Sequence, residues 1–152
     1  MSIVAVKHIA LFVPDLQEAE TFYQHVFSMQ LLMREAELDD HLWYTLPKDK
    51  GWADAEIAGI ELGMVALKRD AFVLALFQGR PVPEDTVLEI GLSMIAEAIV
   101  AVRELLPEKM PLVKHEYGNF MFRDPFGYLW HLWLPGRAFQ SNGESSGRWL
   151  KV

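Results

Sequence analysis

The fold is decided by residues 3–16, which read IVAVKHIALFVPDL. Nearly every side chain before Pro14 is apolar, and valine and isoleucine are residues that pleated strands favour. Pro14 ends the run because it has no N–H for a strand ladder. Asp15 then offers a helix N-cap, with Glu18 placed to complete a capping box. The stretch therefore predicts a strand over residues 3–13, buried on both faces, that leads directly into a helix.

The predicted helix has one apolar face. After the cap, apolar side chains recur at helical spacing, and they are Leu16, Ala19, Phe22, Tyr23, Val26 and Phe27. We expect this stripe to pack against a sheet.

Three strand-like segments follow in the first half of the chain. They are residues 30–35, residues 41–46, and residues 62–78 folded as a hairpin around Lys68, Arg69 and Asp70. Between Pro47 and Gly59 the side chains are mostly polar or small, which predicts a surface excursion with a helical turn from Ala53.

The same order of elements then occurs a second time. Pro81 and Pro83 predict a stiff connector over residues 81–85. After it come a predicted buried strand, a helix and three strands, over residues 86–94, 96–106, 112–114, 119–123 and 128–134. The two openings, VKHIALFV at residues 6–13 and VLEIGLSM at residues 87–94, also align. We therefore predict an internal repeat, although the second copy lacks the Pro-Asp helix start.

Composition limits the class of protein. With 152 residues, 51% of them hydrophobic, the chain can bury one core, so a single domain over residues 1–152 is expected. The absence of cysteine excludes thiolate metal sites, a cysteine nucleophile and disulfides. A net charge of −7 disfavours nucleic acid and anionic membranes as partners. No secretory or membrane-spanning segment is recognisable, so we expect a cytoplasmic protein.

Two motifs resemble those of a known family. Residues 7–16, KHIALFVPDL, with Phe22 and Tyr23 later in the helix, resemble the opening strand and helix of a vicinal-oxygen-chelate module. Residues 122–130, FRDPFGYLW, resemble the closing hairpin of that fold, where an Asp-Pro-x-Gly turn leads into the last strand. The chain thus resembles the glyoxalase, bleomycin-resistance and ring-cleaving dioxygenase superfamily. By themselves, Asp124 to Gly127 are read as a hairpin turn.

The resemblance implies an α+β fold of two tandem βαβββ modules whose mixed sheets curve around a shared cavity. Module one would span residues 3–80 and module two residues 86–135. It also implies a small-molecule ligand and a homodimer. The tail, residues 136–152, is rich in glycine and serine and is either frayed or docked on a partner subunit.

Metal-binding members of the family place ligands on the opening and last strands of each module. The matching positions here are His8, Glu89 and His131. The sequence departs from the usual pattern, because histidine and glutamate are exchanged in the second module and the fourth position falls near Leu74 or Ala75. Two imidazoles and a carboxylate suit Fe and also Mn, Co, Ni or Zn.

Strand alternation supports these positions independently. His8 and Glu89 lie out of phase with the large aliphatic residues of their strands, so they should face away from the helices. A carboxylate in an apolar setting must be protonated, hydrogen-bonded or bound to a cation. The alternative is that each histidine is an ordinary core residue, with Glu89 paired to one of them.

Five aromatic residues are candidates for lining the ligand cavity: Phe12, Trp43, Tyr44, Phe120 and Trp133. Aromatic residues in strands are more often ordinary core, and this alternative remains open for the four beyond the opening strand.

Two functions therefore remain possible from the sequence. The first is a metal-dependent lyase, isomerase or dioxygenase in which the ion contacts two adjacent substrate oxygens. The second is a metal-free protein that binds a small molecule or antibiotic, as bleomycin-resistance proteins do.

Overall fold

A computed structural model of the chain describes residues 6, 8–80, 83, 87, 89–136 and 148–149. Several predictions fall outside the described residues. They concern residues 3–5 and 7 of the first strand, residues 86 and 88 of the second opening strand, residues 81, 82, 84 and 85 of the connector, and residues 137–147 and 150–152 of the tail.

The first half of the chain forms a five-stranded sheet with two helices. The elements are β1 (Ile9–Val13), α1 (Leu16–Val26), β2 (Gln30–Glu37), β3 (Trp43–Thr45), α2 (Trp52–Ile57), β4 (Met64–Arg69) and β5 (Phe72–Gln78). The strand order is β1-β5-β4-β2-β3. Strands β1 and β5 are parallel, and the other neighbours are antiparallel.

The second half forms a four-stranded sheet with one helix. Its elements are β6 (Ile90–Ser93), α3 (Ala96–Leu105), β7 (Leu112–Glu116), β8 (Asn119–Arg123) and β9 (Leu129–Trp133). The order β6-β9-β8-β7 repeats that of the first sheet without its edge strand β3, and β6 and β9 are again parallel. The predicted α+β class with two mixed sheets is confirmed.

Helix α1 begins where the sequence predicts. Asp15 has extended backbone angles (φ −137°, ψ 108°), and its Oδ1 accepts the N–H of Glu18 at 2.8 Å. The carboxylate satisfies a donor that the first helical turn leaves free and lies at the positive end of the helix dipole. Helix α3 has Ile95 at its N-cap, without a side-chain hydrogen bond. Among the described residues, no helix has the length and apolar character needed to cross a membrane.

One apolar core is shared by both halves. It contains residues of β1, α1, β4 and β5 together with residues of β6, α3, β8 and β9. Helix α1 contacts β4 and β5 of the first sheet. The rings of Tyr23 and Phe27 on the same helix reach Trp130 of the second sheet, with centroid distances of 5.7 and 5.0 Å. Each sheet therefore has an inner face on the core and an outer face turned away from it.

Asp124 is the polar centre of this core. Its side chain is 4% exposed. Oδ1 accepts the N–H groups of Phe126 and Tyr128, both at 2.9 Å. Oδ2 accepts the indole N–H of Trp130 at 2.7 Å and the hydroxyl of Tyr23. The residue that the sequence assigns to a hairpin turn thus also ties α1 to the second sheet.

Burial has the largest effect on the pKa of Asp124. Desolvation raises the pKa of Asp124 above its ordinary value, although all the hydrogen bonds it accepts favour the carboxylate. Desolvation, followed by the charge of Asp124, raises the pKa of Tyr23 well above its ordinary value. The tyrosine therefore remains a hydroxyl donor to the carboxyl group.

The prediction that the opening strand is buried on both faces is wrong. Leu11 and Val13 are buried, whereas Ala10 and Phe12 on the outer face are exposed. The sequence is misleading here because the outward residues are apolar too, and an apolar side chain does not have to be buried.

Two other boundaries differ from the sequence prediction. The second opening strand is regular only over Ile90–Ser93, and Gly91 on its outer face is exposed. The helical turn predicted from Ala53 is the helix α2, which begins one residue earlier.

Replacing Asp124 with alanine should destabilise the protein strongly, because the acceptor of several buried donors is lost. Each buried donor left without a partner costs about 1–3 kcal/mol, so we expect Asp124→Ala to lower the free energy of unfolding by at least about 3 kcal/mol. Urea denaturation followed by tryptophan fluorescence measures this. The control is Asp15→Ala, which removes one exposed cap and should cost about 1 kcal/mol. Equal losses in the two variants would show that Asp124 is only a turn residue.

Candidate functional site

A histidine, a glutamate and an asparagine meet on the outer face of the second sheet. His131 Nδ1 lies 3.1 Å from Glu89 Oε1, and His131 Nε2 lies 2.6 Å from Asn119 Oδ1. His131 is in β9, Asn119 is in the adjacent β8, and Glu89 directly precedes β6, which pairs with β9. On β9, Trp130 and Leu132 enter the core, so strand alternation turns His131 outward. Two of the three predicted ligand positions therefore come together.

The partners of His131 restrict where its protons lie. Asn119 Oδ1 only accepts hydrogen bonds, so Nε2 carries a proton. In the neutral ring, Nδ1 then carries a lone pair that faces a carboxylate oxygen of Glu89. Both atoms are hydrogen-bond acceptors, so they repel each other at the 3.1 Å that separates them. The contact becomes favourable when positive charge lies at Nδ1. That charge is either a second ring proton or a cation held between the two side chains.

The imidazole of His131 is almost entirely covered. The residue is 6% exposed, and the ring of Trp133 lies against it with centroids 4.1 Å apart. On β6 the residue paired with His131 is Gly91. A Cβ at Gly91 would meet none of the described residues within 4 Å. The surroundings of the histidine are therefore least crowded at Gly91 and at the partly exposed Glu89.

His8 lies on the outer face of the first sheet. It is exposed and directly precedes β1, whose alternate residues face the core and the outside. Side chains two residues apart share a face, so His8 belongs to the same outward set as Phe12. The shared core lies on the opposite face of each sheet. Within the described ranges, no three histidine, cysteine, aspartate or glutamate side chains gather in a way that could hold a metal ion.

The outer face of the first sheet carries a row of small residues beside a group of aromatic rings. Three small residues are aligned across β1, β5 and β4, namely Ala10, Ala75 and Ala66. Beside them Phe12 pairs with Phe77, with ring centroids 6.4 Å apart, and Trp43 lies edge-on to Phe77 at 6.0 Å. These three rings border a cavity of about 390 Å³.

The candidate cavity-lining residues lie in different places. Phe12 and Trp43 are 50% and 44% exposed and line this cavity. Trp133 is half-buried against His131. Phe120 is buried in the shared core, at the border of a separate cavity of about 310 Å³ between α3 and the β7–β8 hairpin.

Tyr44 is exposed and lies next to Trp43 on β3, so its side chain points to the other face. Its hydroxyl donates to Asp40 Oδ2 at 2.7 Å. This hydrogen bond raises the pKa of Tyr44 and lowers that of Asp40. The alternative that the strand aromatics are core residues is therefore confirmed for Phe120 and wrong for Trp43 and Tyr44.

Two residues of these surfaces are absent from the sequence prediction of the site. Asn119 is predicted only as the first residue of a strand, and Phe77 only as part of a hairpin. The sequence feature from which Asn119 could be identified is the turn at residues 124–127. That turn sets the β8–β9 register and puts Met121 opposite His131. Asn119, two residues from Met121, then shares the face of His131. Phe77 becomes recognisable only from its parallel pairing with Phe12, which no local motif specifies.

Solved structures with this fold include the fosfomycin resistance protein FosX from Listeria monocytogenes. A monoclinic form at pH 6.5 matches with a TM-score of 0.60 and 15% identity, over 97% of this chain and 100% of that chain. FosX complexed with Mn(II) and sulfate ion matches with a TM-score of 0.60 and 16% identity, over 90% and 96%. A lactoylglutathione lyase from Agrobacterium tumefaciens matches with a TM-score of 0.53 and 18% identity, over 92% and 100%. These likenesses show the fold.

A comparison with curated proteins finds no match. The family model described as the Glyoxalase/Bleomycin resistance protein/Dioxygenase superfamily matches residues 5–132. That segment contains both motifs on which the resemblance rests and nearly all of both sheets. The chain therefore belongs to the glyoxalase, bleomycin resistance protein and dioxygenase superfamily.

Proposed function

We propose that the protein is a divalent-metal-dependent enzyme acting on a small molecule with two adjacent oxygen atoms. The observation that carries the proposal is the contact between His131 Nδ1 and Glu89 Oε1, two acceptor atoms that a cation would hold together. Family membership supports it. So do the solved structures, since FosX from Listeria monocytogenes is complexed with Mn(II), in one case together with 1S,2S-dihydroxypropylphosphonic acid.

The donor set fits a divalent cation. His131 would use Nδ1 and Glu89 its carboxylate, while Asn119 holds Nε2–H and so keeps the ring oriented with its lone pair at Nδ1. Imidazole and carboxylate donors suit Mn, Fe, Co, Ni and Zn alike. When bound, such an ion polarises adjacent substrate oxygens as a Lewis acid. Isomerases, lyases and ring-cleaving dioxygenases can all use this donor set, so the proposal extends to the class and not to one reaction.

The third ligand, His8, would come from a second copy of the chain. In one chain, His8 and the His131–Glu89 pair lie on outer faces of two different sheets, and the core occupies the inner faces. A twofold dimer that sets the first sheet of one copy against the second sheet of the other would unite the three side chains. It would form two equal sites.

Loss of either paired ligand should abolish metal uptake. We expect wild-type protein, after removal of EDTA, to bind Mn(II) stoichiometrically, and His131→Ala and Glu89→Gln to lose that binding. Titration followed by electron paramagnetic resonance measures the free ion. Lys48→Ala, in an exposed segment, is the control and should bind as wild type does. Unchanged binding in His131→Ala would exclude the proposed site.

A mixing experiment tests the shared site. His8→Ala and His131→Ala should each bind no Mn(II) alone. After unfolding and refolding together in equal amounts, they should recover about one quarter of the wild-type sites, because half of the dimers are mixed and each mixed dimer has one intact site. Sedimentation confirms the dimer. No recovery, with both variants dimeric and folded, would contradict a site that combines His8 with Glu89 and His131 of the partner subunit.

Asn119 should act as a positioning residue. It donates nothing to the ion, so Asn119→Ala should leave the stoichiometry of Mn(II) unchanged while weakening affinity by about 10–100-fold, as loss of outer-shell hydrogen bonds does. Asn119→Asp keeps an acceptor for Nε2–H and should restore most of the affinity. An alanine variant with wild-type affinity would leave Asn119 a structural residue.

The second candidate is a metal-free protein that binds a small molecule or antibiotic. One observation favours it: a doubly protonated His131 would donate to both Glu89 and Asn119, which satisfies the cluster without a cation. A ligand that binds only the folded state raises its thermal unfolding midpoint. The metal-free protein should therefore unfold at the same temperature with EDTA and with Mn(II). A midpoint that rises with Mn(II) in wild type and not in His131→Ala would exclude this candidate.

A further inference from the structure

The cavity at the aromatic end of the first sheet has an unusual combination of walls. Its apolar walls are the rings of Phe12, Trp43 and Phe77, and its rim carries the carboxylates of Glu37 and Glu61. Neither lysine nor arginine is among the described residues that line it. The volume of about 390 Å³ is within the range of small-molecule sites.

The two exposed rings are seated against glycine backbone. A Cβ at Gly79 would lie 2.7 Å from the ring of Phe12, and a Cβ at Gly63 would lie 3.2 Å from the ring of Trp43. Neither glycine has a positive φ, so the backbone conformation does not require glycine at these positions. Their effect is to let the rings lie close to the sheet. Any side chain there would displace a ring from the wall of the cavity.

The electrostatic surroundings of the cavity are negative. Glu37 is paired with Trp43 across β2 and β3, and Glu61 is exposed and lines the same cavity. An adjoining cavity of about 540 Å³ shares both residues and is also lined by Asp39 and Asp40. Among the described residues, Glu37 pairs with His41, whose Nδ1 lies 3.5 Å from Glu37 Oε1 on a side chain that is 89% exposed. A well-hydrated imidazole of this kind cancels little of the negative potential.

We propose that this aromatic pocket, formed by Phe12, Trp43 and Phe77 and rimmed by Glu37 and Glu61, binds a small organic cation of the alkylammonium class. The negative face of an aromatic ring attracts a cation, and tryptophan does so best. Methyl groups on the nitrogen fill apolar space and weaken the hydration that a bare ammonium would have to lose. The carboxylates then select the positive charge. None of the lining residues is a proposed metal ligand, so choline binding can be measured without metal.

The test compares two ligands of the same shape and different charge. Choline and 3,3-dimethylbutanol differ in having a quaternary nitrogen or a quaternary carbon. Calorimetric titration of the wild-type protein, with EDTA present so that metal plays no part, should show choline binding at least about tenfold tighter than the neutral alcohol. Added salt should weaken choline binding and leave the alcohol unaffected.

Variants then locate the binding. Trp43→Leu keeps an apolar side chain and should reduce choline affinity about tenfold with little effect on the alcohol. Glu61→Gln should weaken choline alone. Gly63→Ala keeps all three rings but moves the Trp43 ring by a few tenths of an ångström, so it should weaken choline binding less than Trp43→Leu does. Tyr117→Leu removes an exposed aromatic side chain of the other sheet and is the matched control.

Three outcomes would overturn the proposal. Equal affinity for choline and the alcohol would show that the pocket binds an apolar group without recognising its positive charge. Choline binding that Trp43→Leu and Gly63→Ala leave intact would place the cation elsewhere. Absence of choline binding, together with dissociation of a wild-type dimer by Trp43→Leu, would assign this face to contact with a second copy of the chain.

Discussion

The buried carboxylate of Asp124 holds helix α1 against the second sheet, because it accepts hydrogen bonds from Tyr23 of the helix and Trp130 of the sheet at once. The same helix packs on β4 and β5 of the first sheet. The helix is thus in contact with both halves of the chain, and each sheet has one face left for solvent or ligand. A carboxyl group at this depth is tolerated because its oxygens are fully used.

This arrangement separates structural from functional polar groups. Among the described residues, buried carboxylates such as that of Glu20 in α1 are held in closed networks, since Arg34 and the indole N–H of Trp52 bind it. The outer faces hold groups that still have room for a partner. Glu89 is partly exposed, and the space beside Gly91 opens next to His131. Ions and ligands can therefore approach the outer faces without disturbing the core, since strand alternation assigns neighbouring residues to different environments.

Local patterns in the sequence predict the elements and the faces, but not how the two sheets are placed relative to each other. Alternation correctly puts Glu89 on the face opposite to the buried Ile90, and the repeated element order matches the repeated strand order. The residues that turn the inner faces toward each other, Tyr23 and Asp124, are 101 positions apart in the chain. Their contact is set by packing of the whole core, which no short motif encodes. Asn119 is missed although a local turn sets the register of β8 with β9, because its role follows only when that register is applied to His131.

The spacing along β1 limits what one ligand could contact. His8 and Phe12 share the outer face and are four residues apart, which is about 13 Å in an extended chain. Between them on this face lies Ala10, which is small and exposed. A short cation such as choline would occupy the aromatic pocket without reaching the position of His8. Only an extended molecule, with adjacent oxygens at one end and an alkylammonium group about 13 Å away, would engage both places at once.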